Sequence, residues 1–413
     1  MNKNLYFARQ AIVDNDESIM GYELLYRDDK GKTNIDNPRH ATASLLVNVL
    51  NQFGLNNIVG EQLAFINIEE SFLRHNFIES IPPSTFVFEL TASSDLDEKL
   101  VENIQRLHNK KYIFSIDIDS CDKINIIKTL FPYLTFVKID TRAFEVENLV
   151  TLITELKKNS IIVIATKVED VDTFELYQKA GCNAYQGYFF ANPKILKDKK
   201  IDAKQSTIFS LCNTIQSGST IPEISNAFES SPEINMQLLQ FINSAAFHFR
   251  APISSIHQIV TLLGRNALVQ WLMLMLYSKN FSSDIKFQNP LFIMVKQRTL
   301  IMVNLIKLIK KDATQKDQSE AYFVGALSLI DALLQVPLEE VLSTFYIDQK
   351  VKEALFYRYG ILGELYAVSI AVEEFNPNVI EIFLNKYKIE KSKFDKIILE
   401  VFKEAISDKD FNN

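Results

Sequence analysis

Phe114-Ser115-Ile116-Asp117-Ile118-Asp119 is a β-branched and aromatic run with acidic residues at its end. That is the pattern of a buried strand delivering carboxylates to a site. Working outward, similar runs occupy residues 21–26, 63–68, 85–91, 112–118, 136–140, 161–168 and 183–190. Amphipathic helix patterns lie between several of them, over 40–53, 95–109, 146–158 and 170–180, the last closed by Gly181 as a C-cap. Repeated βα units of this length imply a mostly parallel sheet. Seven or eight strands in roughly 190 residues fit a closed, TIM-like α/β barrel better than an open doubly wound sheet.

Each strand carries a polar residue near its end: Glu23, Asn67, Glu89, Asp117, Lys138, Thr166 and Gln186. In a βα barrel these converge on the C-terminal face, where such folds place their chemistry. Glu, Asn and Asp together suit hard divalent cations such as Mg²⁺ or Mn²⁺. A lysine beside them suits a phosphate or a metal-bound water. Any one of them alone reads as an ordinary loop-edge residue. Seven arriving in step with seven strands argue for a site.

The bulk composition narrows the classes. At 413 residues, two or three domains are expected, with 47% apolar and 23% charged residues in the ordinary globular range. A formal net charge of −7 argues against a general nucleic-acid binder, which needs clustered cations. Cys121, Cys182 and Cys212 form no close pair and no metal-type spacing, so free thiols in a reducing cytoplasm are expected. The start, from Met1 to Arg9, lacks the apolar core of a signal peptide. The run from Ala267 to Tyr277 is too short to span a bilayer and reads as a core helix, so no membrane insertion is expected.

The first half resembles the EAL family of cyclic di-GMP phosphodiesterases. Gly21-Tyr22-Glu23-Leu24-Leu25-Tyr26-Arg27 looks like the signature Glu-Ala-Leu followed two places on by Arg. Phe65-Ile66-Asn67-Ile68 and Phe88-Glu89-Leu90-Thr91 are similar to the family's asparagine and glutamate strands. Val137-Lys138-Ile139-Asp140 and the stretch from Gln186-Gly187-Tyr188 to Pro193 resemble its Lys-Ile-Asp and closing Gln-Gly-Tyr motifs. In active members two divalent metals polarise a phosphodiester and activate a water. The resemblance then implies that Glu23, Asn67, Glu89 and Asp117 are metal ligands for Mg²⁺ or Mn²⁺. Arg27, with Glu23 and Gln186, would hold the ligand. Lys138 would assist the nucleophilic water and Gln186 would orient the site.

The departures from that pattern are specific. The family's paired Asp-Asp reads Asp117-Ile118, with Asp119 one position late. Successive strand residues point to opposite faces, so Asp119 shares a face with Asp117 and not with Ile118. The family's Ala-Glu-Gly-Val-Glu reads Ala165-Thr166-Lys167-Val168-Glu169. Threonine is no general base near neutral pH and a poor metal ligand beside glutamate. Two lost carboxylates should cost metal affinity severely. Lys138 and Gln186 are then expected to be vestigial, and the metal site weak or lost.

Beyond the lysine-rich stretch at 192–206, strand alternation stops and helix patterns follow. Ser231-Pro232-Glu233 opens one, as N-cap, first-turn proline and N-terminal acid. Further patterns cover 291–309, 320–334, 338–343, 349–356, 363–375 and 379–387, with loops at 282–289 and 310–319. Residues 232–276 resemble the HDOD domain, a helical relative of HD-type metal hydrolases, through Leu238-Leu239-Gln240-Phe241-Ile242-Asn243 and Ile256-His257-Gln258-Ile259-Val260. Ser328-Leu329 stands where the His-Asp dyad would sit, and no histidine follows His257. His248 and His257 read as packing or surface residues, and Trp271 as core. The stretch 332–375 also looks like bacterial proteins carrying both modules in tandem.

The expectation is therefore an EAL-like barrel over 1–195 and an all-α HDOD-like domain over 196–413. The favoured function is non-catalytic signalling or scaffolding linked to cyclic di-GMP, through contacts with signalling proteins, with no stable nucleic-acid partner. A homodimer is a further expectation from the resemblance. An active phosphodiesterase with an atypical metal site and a scaffold that binds no nucleotide stay open.

Overall fold

The computed structural model describes residues 5–28, 54–74, 78–79, 81–91, 97–120, 122–144, 146–192, 201–243, 253–277, 290–343 and 347–406. The expected helix 40–53, the loop 282–289, Cys121, His248, most of the lysine-rich linker and the tail after Asp408 lie outside these residues.

Eight strands close into a barrel in sequence order: β1 Leu5–Asp14, β2 Ile19–Asp28, β3 Leu63–Asn67, β4 Val87–Thr91, β5 Ile113–Ile118, β6 Phe136–Asp140, β7 Ile162–Thr166 and β8 Ala184–Gln186. From β2 to β8 neighbouring strands are parallel, while β1 runs antiparallel to both β2 and β8. The strand the sequence pattern missed is β1. A tight turn makes it antiparallel: Asp14 Oδ1 accepts from the Asp16 and Ser18 amides at 2.9 Å, and Glu17 takes a left-handed φ of 58°.

The side-chain period of two sorts the barrel interior into layers. Ile12, Phe65, Val87, Phe136, Ile164 and Ala184 form one buried apolar layer, with the Phe65 and Phe136 rings edge-on at 5.1 Å. Two residues further along the parallel strands come Asn67, Glu89, Lys138, Thr166 and Gln186. On antiparallel β1 the equivalent step runs backwards and reaches Gln10. The packed apolar floor thus sets a polar layer directly above it.

Helices cover the barrel between strands. Glu98–Asn109 starts at Asp97, whose side chain accepts from the Leu100 amide, and buries Leu100, Ile104 and Leu107. Val171–Ala180 is capped by Asp170 and stopped by Gly181 at φ 102°.

By packing, residues 1–192 and 371–395 make one compact unit, and 193–370 with 396–413 make another. Within the second unit, helices at Ala203–Gln216 and Ile221–Glu229 were not legible in the periodicity; both start with capping boxes. Pro232–Ile242 follows Ser231 as expected, and Trp271 is buried beside Phe241. His257 is exposed. Ile256–Tyr277 is long and apolar enough to cross a membrane by length and composition; 53% of an 18-residue apolar stretch within it is buried, and Gly264 breaks it at φ 81°, ψ 167°.

The single helix expected over 320–334 is two, Gln315–Leu327 and Ile330–Leu334. Arg298, itself buried, donates to the Ser328 hydroxyl at 3.2 Å, and that hydroxyl donates to the Gly325 carbonyl at 2.7 Å. These bonds hold the break between the two helices.

Gly187, next to the end of β8, offers a test of how tightly the barrel rim is packed. A Cβ there would lie 1.9 Å from the Val168 carbonyl oxygen. Gly187→Ala is expected to cost about 3 kcal/mol or more, read as a lowered melting temperature; an unchanged melt would contradict the packing described.

Candidate functional site

Glu23 is the hub of the polar layer. Its Oε1 accepts from Asn67 Nδ2 at 2.7 Å, and its Oε2 accepts from Lys138 Nζ and Gln186 Nε2, both at 2.7 Å. Gln186 Nε2 also donates to Gln10 Oε1 at 2.8 Å. Lys138 Nζ lies 2.5 Å from Glu89 Oε2 and 5.4 Å from the centre of the Phe65 ring. Glu23, Glu89, Lys138 and Gln186 are all buried, and Lys138 retains 1% of its exposure.

Strand pairing brings these residues together. Glu23 follows from the hairpin with β1, where it faces Gln10 in register. Asn67 pairs with Glu89, Asp117 with Lys138, and Thr166 with Gln186. Arg27 is on β2 opposite Tyr6, and its side chain lies outside the described residues.

The electrostatics separate these groups. For Glu23, burial acts to raise the carboxyl, but Lys138 with the Gln186 and Asn67 hydrogen bonds outweighs it and holds the group below its usual range. Glu89 is pushed well above its range by burial, then by the charges of Asp117 and Glu23, against the pull of Lys138. Asp117 is raised, chiefly by burial and despite Lys138, and is hydrogen-bonded to Glu89. Both carboxyls are thus held above their usual range. For Lys138, burial lowers the ammonium, but Glu23, Glu89 and Asp117 prevail and keep it charged.

The two departures from the EAL pattern have definite places. Ile118 is buried, retaining 1% exposure, on the strand face opposite Asp117. Asp119 does not join the cluster: its side chain is 60% exposed and pairs with Lys123 at 2.7 Å. Thr166 turns its hydroxyl to the Ile139 carbonyl at 3.2 Å. Beside it, Asp140 accepts from Lys167 Nζ at 2.5 Å and from Arg142 Nε and Nη2 at 3.2 Å. Burial acts to raise Asp140, yet these bonds bring it down to about 2.

The fit to divalent metal is partial. Glu89 Oε2, Asp117 Oδ1 and Gln186 Oε1 are buried without a hydrogen-bond partner, and acceptor oxygens of this kind suit a cation. Glu89 Oε2 nonetheless lies against the Lys138 ammonium, and both Glu23 oxygens are engaged. Among the described residues no group of three or more His, Cys, Asp or Glu is arranged to hold a metal ion. Glu23, Asn67, Glu89 and Asp117 would hold a divalent ion only in competition with the Lys138 ammonium, which already engages Glu23 and Glu89.

Gln10, Asp140, Arg142 and Lys167 were not singled out from the sequence as site residues. Gln10 had only a weak signal, as a polar residue on the strand face it shares with Ala8 and Ile12. Lys167 had a signal in its cation where the EAL pattern has glycine.

Two substitutions distinguish the roles of these carboxyls. Lys138→Met leaves buried carboxylates without a counter-charge and should cost about 3–5 kcal/mol at neutral pH. Glu89→Gln mimics the protonated form already favoured there and should cost far less. Glu89 is raised on folding, so it favours the fold at low pH and disfavours it as pH rises through its folded value. The stability of Glu89→Gln relative to the native chain should therefore increase with pH above about 4.3. Glu23 is depressed, so its stabilisation is present above about pH 4.3 and is lost as pH falls. Urea unfolding across pH checks both signs.

The EAL domain model matches residues 1–193 and the HDOD domain model residues 205–340. The chain is 24% identical over 357 residues to "Uncharacterized protein YuxH" of Bacillus subtilis, covering 85% of this chain and 86% of that protein. It is 26% identical over 368 residues to "Cyclic di-GMP phosphodiesterase CdgJ" of Vibrio cholerae, covering 87% and 83%. Among solved structures, a calcium and cyclic di-GMP complex of Klebsiella pneumoniae BlrP1 aligns at 18% identity and a TM-score of 0.37, over 46% of this chain and 56% of that one. The chain is a tandem protein of an EAL domain, residues 1–193, followed by an HDOD domain, residues 205–340.

Proposed function

We propose that this protein is a non-catalytic signalling protein whose EAL barrel binds cyclic di-GMP and whose HDOD domain contacts protein partners. The observation that carries this is that the Lys138 ammonium already engages Glu23 and Glu89, at 2.7 and 2.5 Å, in a layer short of acidic groups. Ile118 on the opposite strand face and Thr166 bonded to backbone add the absence of two acidic groups. The nucleotide is the ligand class to test, because a relative named a cyclic di-GMP phosphodiesterase matches 87% of this chain. Arg27 would hold a phosphate, with Glu23 and Gln186 at the base of the pocket. A cytoplasmic location and self-association belong to the same reading.

A second reading, an active phosphodiesterase with an atypical metal site, is favoured by the unpartnered oxygens of Asp117 and Gln186. Two divalent ions would supply Lewis acidity and an activated water if bound. In that reading Lys138 would have to yield Glu89 Oε2 to a metal.

The full-length chain, incubated with cyclic di-GMP and Mn²⁺ or Mg²⁺, is expected to give no linear product above a protein-free blank. EDTA-sensitive turnover would overturn the non-catalytic reading. Calorimetric titration without metal is expected to show saturable binding that Arg27→Ala abolishes. Unchanged affinity in that variant would remove the pocket proposed, and no binding by the native chain would leave a scaffold without a nucleotide input.

A further inference from the structure

Lys167 follows β7 directly and has φ 60°, a left-handed conformation that glycine adopts without cost and other residues adopt at roughly 1 kcal/mol. The turn is held from both sides. The Lys167 carbonyl accepts from Thr141 Oγ1 at 3.0 Å, and the Val168 amide donates to the Gln186 carbonyl at 3.0 Å. Nothing in this turn calls for a lysine, and its side chain is disfavoured by the backbone. Residues kept in such conformations by their surroundings cluster at functional sites.

The Lys167 side chain reaches from β7 to the end of β6, where its ammonium lies 2.5 Å from Asp140 Oδ2. It also acts electrostatically on Asp117 of β5. It is therefore at the rim directly above the polar layer. It stays 48% exposed, while Asp140 beneath it is 15% exposed. One of its three N–H donors points to Asp140, which leaves donors for a ligand entering the barrel mouth. Arg142, on the other side of Asp140, is 63% exposed.

These cations change what the mouth attracts. Lys138 lies against Glu23 and Glu89, while Lys167 and Arg142 lie against Asp140 at the rim. The exposed cations of the rim are donors that can take a phosphate directly.

We infer that Lys167 is a phosphate-binding residue of this barrel, giving the site a metal-independent contact to the phosphodiester of its ligand. This rests on the nucleotide-binding reading above for the ligand's identity, but not for the anion contact. The test uses the full-length chain in EDTA, titrated with cyclic di-GMP and separately with inorganic pyrophosphate. The variants are Lys167→Gly, which relieves the left-handed strain, and Lys167→Arg, which keeps the charge. Lys167→Gly should melt no lower than the native chain. It should weaken both probes about tenfold or more, while Lys167→Arg stays within about threefold of native. Equal affinity of native and Lys167→Gly chains for cyclic di-GMP would overturn the inference and leave the nucleotide reading standing. Lys167-dependent pyrophosphate binding with no cyclic di-GMP binding would support the inference and overturn that reading. Binding of neither probe would overturn both.

Discussion

The barrel site depends on one buried ammonium among carboxylates. Lys138 is enclosed by Glu23, Glu89 and Asp117 above an apolar floor, and an ion taken out of water costs several kcal/mol unless it is paired. Glu23 is the partner that meets this cost, because Asn67 and Gln186 hold both its oxygens in place. Glu89 and Asp117 are both pushed above their usual range, chiefly by burial and against the pull of Lys138.

Barrel geometry converts this chemistry into a mouth with two levels. The lower level, from Gln10 round to Gln186, is a closed hydrogen-bonded layer fixed by strand register. The upper level, at the strand ends, holds Asp140 with Lys167 and Arg142 and is open to water. The two replaced acidic positions differ in the face they occupy. Ile118 is withdrawn to the outer face of its strand, and Thr166 stays at the inner face but spends its hydroxyl on a neighbouring carbonyl. A charge present in the EAL pattern is missing for a different structural reason at each.

The helical domain buries a cation of its own. Where the helix breaks, Ser328 accepts from the buried guanidinium of Arg298, and the Tyr366 hydroxyl donates to the Ser328 carbonyl at 3.3 Å. The Arg358 guanidinium lies 3.4 Å from the centre of the Tyr366 ring. Gly325 permits the close approach this requires, since a Cβ there would lie 2.6 Å from Thr299 Cα.

Much of this was legible in the sequence, because strand alternation and polar strand ends are local patterns. Residues 21–26, 63–68 and 136–140 read as strands, and Glu23, Asn67, Glu89, Asp117, Lys138 and Gln186 are brought to one face of the barrel by the period of two. The loss at Ile118 and Thr166 was equally visible, since it is a change of residue type at a known spacing. Strand β1 escaped because its side chains alternate weakly and its direction depends on a turn, so Gln10 escaped with it. The pairing of Lys138 with Glu23 spans 115 residues, and the Lys167–Asp140 contact joins two separate strand ends. Periodicity places a residue on a face, but which charges meet across a closed barrel is set by register between strands. Only the tertiary structure could decide that Lys138 lies among the carboxylates and that Asp119 does not.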